Sequence, residues 1–383
     1  MPHTTAETTR TRIAHCIVGL AASGKRDAND WRRGWGITDA RNYEATRQWV
    51  EVLSRPHDEE VATVDGYGIV RSSIKSDIFL RIDLRNETVH PRRAAGIPSP
   101  RFATPGYEPL SDPACWSNGT AQPVSSLDAA ISALRPVSVA TAPEPCYCAT
   151  HAEQCACGAL RGPAPSLGAS STAGNPSFME QMQRIWACYG DVRRHEKRHG
   201  VRYDFITKIR SDFDWAANHV TPTVFALAVR DLVAGPPRIV TANWGQWYNN
   251  VDWLWIAPRK LAAIAFSFSE APCTWFDCVN AKFLKKGMGT GTPNVPWFLE
   301  KVRKNRTTPL GLQRLPSYRT DGELLGEWWL SHGVPFEALR ATHGNNQNDA
   351  EVRLSQKAGL ITAAKWIKPL CPPTRFSRSD SDQ

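Results

Sequence analysis

The alternation of apolar and polar positions divides the chain into short strands and amphipathic helices that follow one another. "IAHCIVGL" (13–20) is apolar on both sides of the alternation and predicts a strand buried on both faces. "SDIFLRIDL" (76–84) predicts a second strand, and a helix is expected around Tyr43 to Leu53. In "SSLDAAISALRPVSVA", Leu127, Ile131 and Leu134 share one helical face; Pro136 stops the helix and a strand, Val137 to Ala140, follows. The clearest helix starts with Asn175 as a cap and Pro176 in its first turn. Phe178, Met182, Ile185, Trp186, Tyr189 and Val192 keep helical spacing, basic residues crowd the last turn, and Gly200 ends it. "YDFITKIR" (203–210) then reads as a strand, 222–234 as a helix and "RIVTA" (238–242) as a strand. Further helices are expected from Pro258 to about Phe268 and over 321–333, the latter with Leu324, Leu325 and Trp328 inward.

Strands alternating with helices predict an α/β sheet. The 383 residues are read as one domain over 13–370, with polar tails at 1–12 and 371–383. A stretch rich in Pro, Ala, Gly, Ser and Cys (141–174) is expected to be an insertion outside the sheet. No apolar run approaches the roughly 18 residues needed to span a bilayer, so no transmembrane segment is expected. A net charge of +9 favours anionic partners. The basic residues are scattered, however, which suits an ordinary solvated surface equally well, and no nucleic-acid partner is expected.

The ten cysteines leave the redox compartment open, so a secretory lumen and the cytoplasm both stand. Cys146, Cys148, Cys155 and Cys157 crowd around His151 and suit two disulfides, loop thiols or zinc; C-x-C is tighter than usual for zinc. Cys16 and Cys188 lie inside apolar patterns and read as small core residues.

Candidate chemistry centres on "RYDFITKIRSDFDW" (202–215), where a strand buried on both faces runs into Asp212-Phe213-Asp214. Ligands of open α/β sheets bind beyond the carboxyl ends of strands. Two carboxylates there suit Mg²⁺ or Mn²⁺, hard cations that prefer oxygen. Lys208 and Arg210, two apart, fall on one side of the strand and add positive charge. The alternative is a strand ending in a solvated acidic turn. "GLAASGKR" (19–26) nearly matches a phosphate loop, but Arg26 stands where a magnesium-binding hydroxyl is needed and no helical pattern follows. "ANWGQWYNNVDWLWIAP" offers four tryptophans that can stack on sugars or fill a core.

Several segments in order resemble a group of eukaryotic and viral glycosyltransferases of GT-A type, the nucleotide-diphospho-sugar transferase fold. "RIAHCIVGLA" is similar to the opening strand, and "NPSFMEQMQRIWACYGDVRRHEKRHGVRYDFITKIRSDFDW" to the long helix and signature strand, usually R-x-R-P-D. "NNVDWLWIAPRKLAA" resembles a later Asn-Asp segment, and "DGELLGEWWLSHGVPF" a Glu-initiated helix followed by a strand. Lys208 replaces the first Arg, Ser211 the Pro, and Val251 separates Asn250 from Asp252.

The resemblance implies a three-layer sandwich with a mixed, mostly parallel sheet. It implies a nucleotide-sugar donor and a glycan, glycoprotein or glycolipid acceptor. Asp212 and Asp214 would hold Mn²⁺ or Mg²⁺, with Lys208, Arg210 and Gly19 around the donor and Asp252 and Glu323 as catalytic carboxylates facing the acceptor. The competing readings are a P-loop kinase or sulfotransferase built on Gly19 to Lys25, and a basic binding protein without turnover.

Overall fold

The computed structural model describes residues 11–20, 36–54, 74–83, 125–141, 150–151, 176–213, 215, 220–243, 253–278, 321–340, 361–362 and 371–373. Eight strands form one sheet: β1 (Thr11–Leu20), β2 (Ile74–Asp83), β3 (Ser138–Ala140), β4 (Phe205–Arg210), β5 (Ile239–Asn243), β6 (Leu254–Pro258), β7 (Phe336–Arg340) and β8 (Ile361–Thr362). The order across the sheet is β3-β2-β1-β4-β6-β5-β7-β8. The pairings β1–β2, β2–β3, β1–β4 and β5–β7 are parallel; β6 runs antiparallel to both neighbours, and β8 to β7.

The helices sort onto the two faces. One side carries α1 (Ala40–Ser54), α2 (Ser125–Leu134) and α4 (Pro222–Ala234), which pack Trp49, Leu53, Leu127 and Phe225 onto Ile13, Ile17, Phe205 and Ile209. The other side carries α3 (Pro176–His199), α5 (Arg259–Phe266), the 3₁₀ turn Ser267–Glu270 and α6 (Asp321–Ser331). These cover Ala14, Cys16, Val18, Ile206 and Trp255. Strands covered on both faces are mostly apolar, and β4 and β6 are buried along almost their whole length.

Local chemistry sets several boundaries. Thr221 caps α4 by accepting from the Val224 N–H, with Pro222 in the first turn. Gly200, at φ +61°, turns the chain out of α3 as a left-handed residue after the last helical turn.

His15 is the polar exception inside β1. Its imidazole meets Thr207 Oγ1 at 2.8 Å and Ser76 Oγ at 3.0 Å, so both ring nitrogens are satisfied without solvent. Burial pushes its pKa down to about 3, against a smaller upward pull from Asp77.

Several of the described tryptophans are structural; Trp244 and Trp247 lie outside the described residues. Trp49 and Trp215 stack with centroids 4.0 Å apart, and their indole N–H groups donate to Val220 O and Thr46 Oγ1. Trp328 and Trp329 of α6 donate to the Ile264 and Ala265 carbonyls of α5. These bonds let large apolar rings be buried without an unpaired donor.

Several expectations are refined by the structure. Cys16 and Cys188 are core residues as expected, and they form a disulfide between β1 and α3. A second disulfide joins Cys278 to Cys371, and Cys371 is buried, so the expected tail boundary at 371 falls on a cross-linked residue of the fold. "LWIAP" is strand β6, and the helix expected from Pro258 begins only at Arg259. Residues 150–151 of the insertion are in none of the strands and touch the helical layer, where His151 Nε2 lies 3.1 Å from Glu270 and Thr150 accepts from Gln183. Cys146, Cys148, Cys155 and Cys157 lie outside the described residues.

Candidate functional site

In an open α/β sheet a crevice forms where successive crossovers leave a strand in opposite directions. Here the chain runs from β1 outward to β2 and β3, then returns to place β4 on the other side of β1. The switch point therefore lies between the carboxyl ends of β1 and β4. Those ends are Gly19-Leu20 and Arg210-Ser211-Asp212.

The two ends are closely fitted. The Ser211 N–H donates to Val18 O at 3.1 Å. A Cβ on Gly19 would fall 2.3 Å from Ser211 Oγ, and Gly19 sits at φ +153°, a conformation that L side chains rarely adopt. Ser211, which stands where the resembling family has Pro, is buried against this glycine.

Arg210 and Asp212 meet fork to fork. Arg210 Nε donates to Asp212 Oδ1 at 2.8 Å and Nη2 to Oδ2 at 2.6 Å. The guanidinium also lies 4.3 Å from the Trp253 ring centroid, and the Arg210 N–H donates to the Trp253 carbonyl. Both charged side chains keep about a quarter of their surface, 27% and 24%. Burial pulls the Asp212 carboxyl upward, but the charge and hydrogen bonds of Arg210, with a contribution from Lys208, outweigh it and hold the group below the usual carboxylate range. Asp212 is therefore an anion at neutral pH.

Lys208 sits elsewhere than its spacing implied. It does share a strand face with Arg210, but that face is roofed by helices, and Lys208 is fully buried. It pairs across the sheet with Cys16 on one side and Trp255 on the other, its Nζ 5.0 Å from the Trp255 ring. Its charge reaches the crevice through Asp212 rather than by exposure.

The end of β2 adds a buried ion pair absent from the sequence expectations. Arg184 of α3 donates to Asp83 Oδ2 at 2.6 Å, the two side chains only 8% and 1% exposed. Two turns further along α3, Asp191 takes Arg81 at 2.6 Å. Helix α3 is thus registered on β2 by opposite charges as well as by apolar contact.

Asp214 and Asp252 lie outside the described residues; Phe213 and Trp215, which flank Asp214, are buried. Glu323 lies in the first turn of α6. That helix runs into parallel strand β7 after a short turn, so its first turn points toward the carboxyl-end edge of the sheet. Lys25 and the rest of the phosphate-loop-like stretch beyond Leu20 are likewise outside the described residues. No group of three or more His, Cys, Asp or Glu side chains that could hold a metal occurs among the described residues. No described helix is long and apolar enough to cross a membrane.

Comparison with family models, with curated proteins and with solved structures finds no match for this chain. The class that the fold defines is an α/β protein with helices on both faces of a mixed, mostly parallel sheet and an Arg–Asp ion pair at its switch point.

Proposed function

We propose that the chain is a glycosyltransferase of GT-A type, moving a sugar from a nucleotide-diphosphate donor to a hydroxyl of a glycan, glycoprotein or glycolipid. The observation that carries this reading is the Arg210–Asp212 pair at the carboxyl end of β4, beside the switch point, with Asp212 held anionic. A fixed cation and an ionised carboxylate at such a crevice suit a diphosphate and its counter-ion.

The donor chemistry of Asp212 fits a hard divalent cation. Each carboxylate oxygen keeps a lone pair beyond its bond to Arg210, and oxygen anions are the ligands Mg²⁺ and Mn²⁺ prefer. Asp212 and Asp214 would hold the ion. Bound there, it supplies neutralisation of the charge that develops on the diphosphate leaving group.

The remaining work falls to side chains. Arg210, braced by Trp253 and engaged by Asp212, would bring its positive charge close to the diphosphate. Gly19 lets Ser211 close against the end of β1, which holds the two strand ends together on the side where the donor would bind. Asp252, which directly precedes Trp253 in sequence, takes the proton from the attacking hydroxyl. The acceptor oxygen then bonds to the anomeric carbon as the bond from that carbon to the diphosphate oxygen breaks. Glu323 is assigned to the acceptor side.

Isothermal titration of UDP and GDP, with and without Mn²⁺, tests this on wild type, Asp214→Asn and Arg210→Ala. Wild type is expected to bind one of the nucleotides in a metal-dependent manner. Asp214→Asn should lose the metal dependence, and Arg210→Ala should weaken nucleotide binding with less effect on the metal. Absence of binding to either nucleotide in the presence of metal, or an Asp214→Asn variant that binds as wild type does, overturns the reading.

A further inference from the structure

The C-terminal turn of α3 reads His195-Glu196-Lys197-Arg198-His199, an H-E-x-x-H sequence on a helix. That spacing brings two imidazoles to one helical face, the arrangement used to hold zinc in many metallopeptidases. Here the two rings face each other with centroids 4.4 Å apart and planes inclined by 35°. With Zn–N bonds of about 2.0–2.1 Å, two imidazoles on one ion have centroids about 4.5–5 Å apart for N–Zn–N angles of about 90–105°. The pair is therefore within a small side-chain adjustment of chelating geometry.

His195 is also oriented as a ligand. Its Nδ1 lies 3.1 Å from the Tyr203 hydroxyl, and that hydroxyl donates to Asp77 Oδ2 at 2.8 Å. Phe79 packs edge-on against the ring, with centroids 5.5 Å apart. With the Tyr203 proton committed to Asp77, Nδ1–H of His195 donates to the tyrosine oxygen. Nε2 then carries the free lone pair. A carboxylate-backed hydrogen bond to the non-ligating nitrogen is the usual outer support of a metal-binding histidine. Arg12 and Arg198 oppose a cation here, and Asp77, which also accepts from Arg12, offsets them.

We infer that His195 and His199 form a binding site for one zinc-class divalent ion at the amino-terminal edge of the sheet, opposite the crevice at β4. The site is not a peptidase centre. Glu196, the residue that would activate water, has its oxygens taken by Arg259 Nε and Nη2 at 3.0 and 2.8 Å and by the Tyr203 N–H at 3.1 Å. It is buried by those contacts, and water completes the coordination of the ion instead.

Equilibrium dialysis of the full disulfide-bonded chain against Zn²⁺ at pH 7.5 tests the site. His199→Ala, a change at an exposed residue, should bind one equivalent fewer than wild type. His195→Ala should do the same, and Tyr203→Phe should weaken that equivalent by roughly tenfold or more. Equal zinc content in wild type and His199→Ala overturns the site. Unchanged affinity in Tyr203→Phe overturns the orienting role of the tyrosine, and cleavage of a casein substrate by the zinc-loaded chain overturns the exclusion of Glu196. Because nucleotide binding depends on Asp212 and not on this turn, His199→Ala should leave the UDP and GDP titrations unchanged.

Discussion

Replacing Cys16 and Cys188 together by Ala opens the link between β1 and α3. The bond closes a loop with a sequence separation of 172. The chain-entropy relation for such a loop gives about 17 cal/mol/K, or about 5 kcal/mol at 25 °C, as the amount by which the bond destabilises the unfolded chain. Measured values for native disulfides more often fall at about 2–4 kcal/mol, because real unfolded chains stay partly compact. The expected loss is therefore about 2–5 kcal/mol, a large share of the roughly 5–15 kcal/mol that holds a domain together. Both cysteines are fully buried, so the alanines also leave a small cavity, which adds to the loss. Urea unfolding followed by tryptophan fluorescence, on the oxidised protein and the double variant, measures the difference. Peptide mapping without reductant should recover the Cys16–Cys188 cross-link. A loss below about 1 kcal/mol, or a cross-link to any other cysteine, refutes the reasoning.

Asp83→Asn removes the buried negative charge that faces the Arg184 guanidinium and is expected to cost about 3–5 kcal/mol, whereas Asp83→Leu combined with Arg184→Met should cost much less; equal losses in denaturant unfolding would argue against a buried pair. Gly19→Ala should destabilise by about 1–3 kcal/mol through its backbone conformation and the contact with Ser211, and a melting temperature equal to wild type would show that the two strand ends are less tightly fitted. His15 has a folded pKa near 3 against an ordinary 6.5, so its contribution is complete above pH 6.5. As pH falls from there toward 3, the unfolded chain takes up a proton that the folded one refuses, and stability should drop by up to about 1.4 kcal/mol per pH unit. His15→Gln should flatten that part of the acid-denaturation curve, and identical slopes for the two proteins between pH 6 and 4 would contradict it.

The parts of the fold that depend on neighbours in sequence were legible. Helix α4 is bounded by a capping Thr and a Pro, and α3 by Pro176 and Gly200, so local rules place both. The Phe and Ile residues on both sides of the alternation in "FITKI" announced a strand buried on two faces. Strand β6 was hidden because "LWIAP" has no alternation and ends in a proline that reads equally well as the start of a helix. Its antiparallel direction comes from pairing with β4, which no local pattern encodes. The spacing of Lys208 and Arg210 gave their shared face correctly, but the helices that bury Lys208 come from elsewhere in the chain. Pairing of Cys16 with Cys188 depends on the register of α3 over β1. The mutual engagement of Arg210 and Asp212, two residues apart, was the sequence-visible feature of the crevice that went unread; so was the His195–His199 spacing on α3.

The central position of β1 has a cost in time. Its partner on one side, β4, lies far along the chain: His15 waits for Thr207, 192 residues later. At about 5–20 residues per second, synthesis takes roughly 10–40 s to cover that distance. Throughout that interval the nascent chain carries a strand apolar on both faces, one of whose edges has no native neighbour. Cys16 waits alongside it for Cys188, unable to form its native cross-link. The native edge of β1 and its cross-link can therefore form only once the ribosome has delivered α3 and β4.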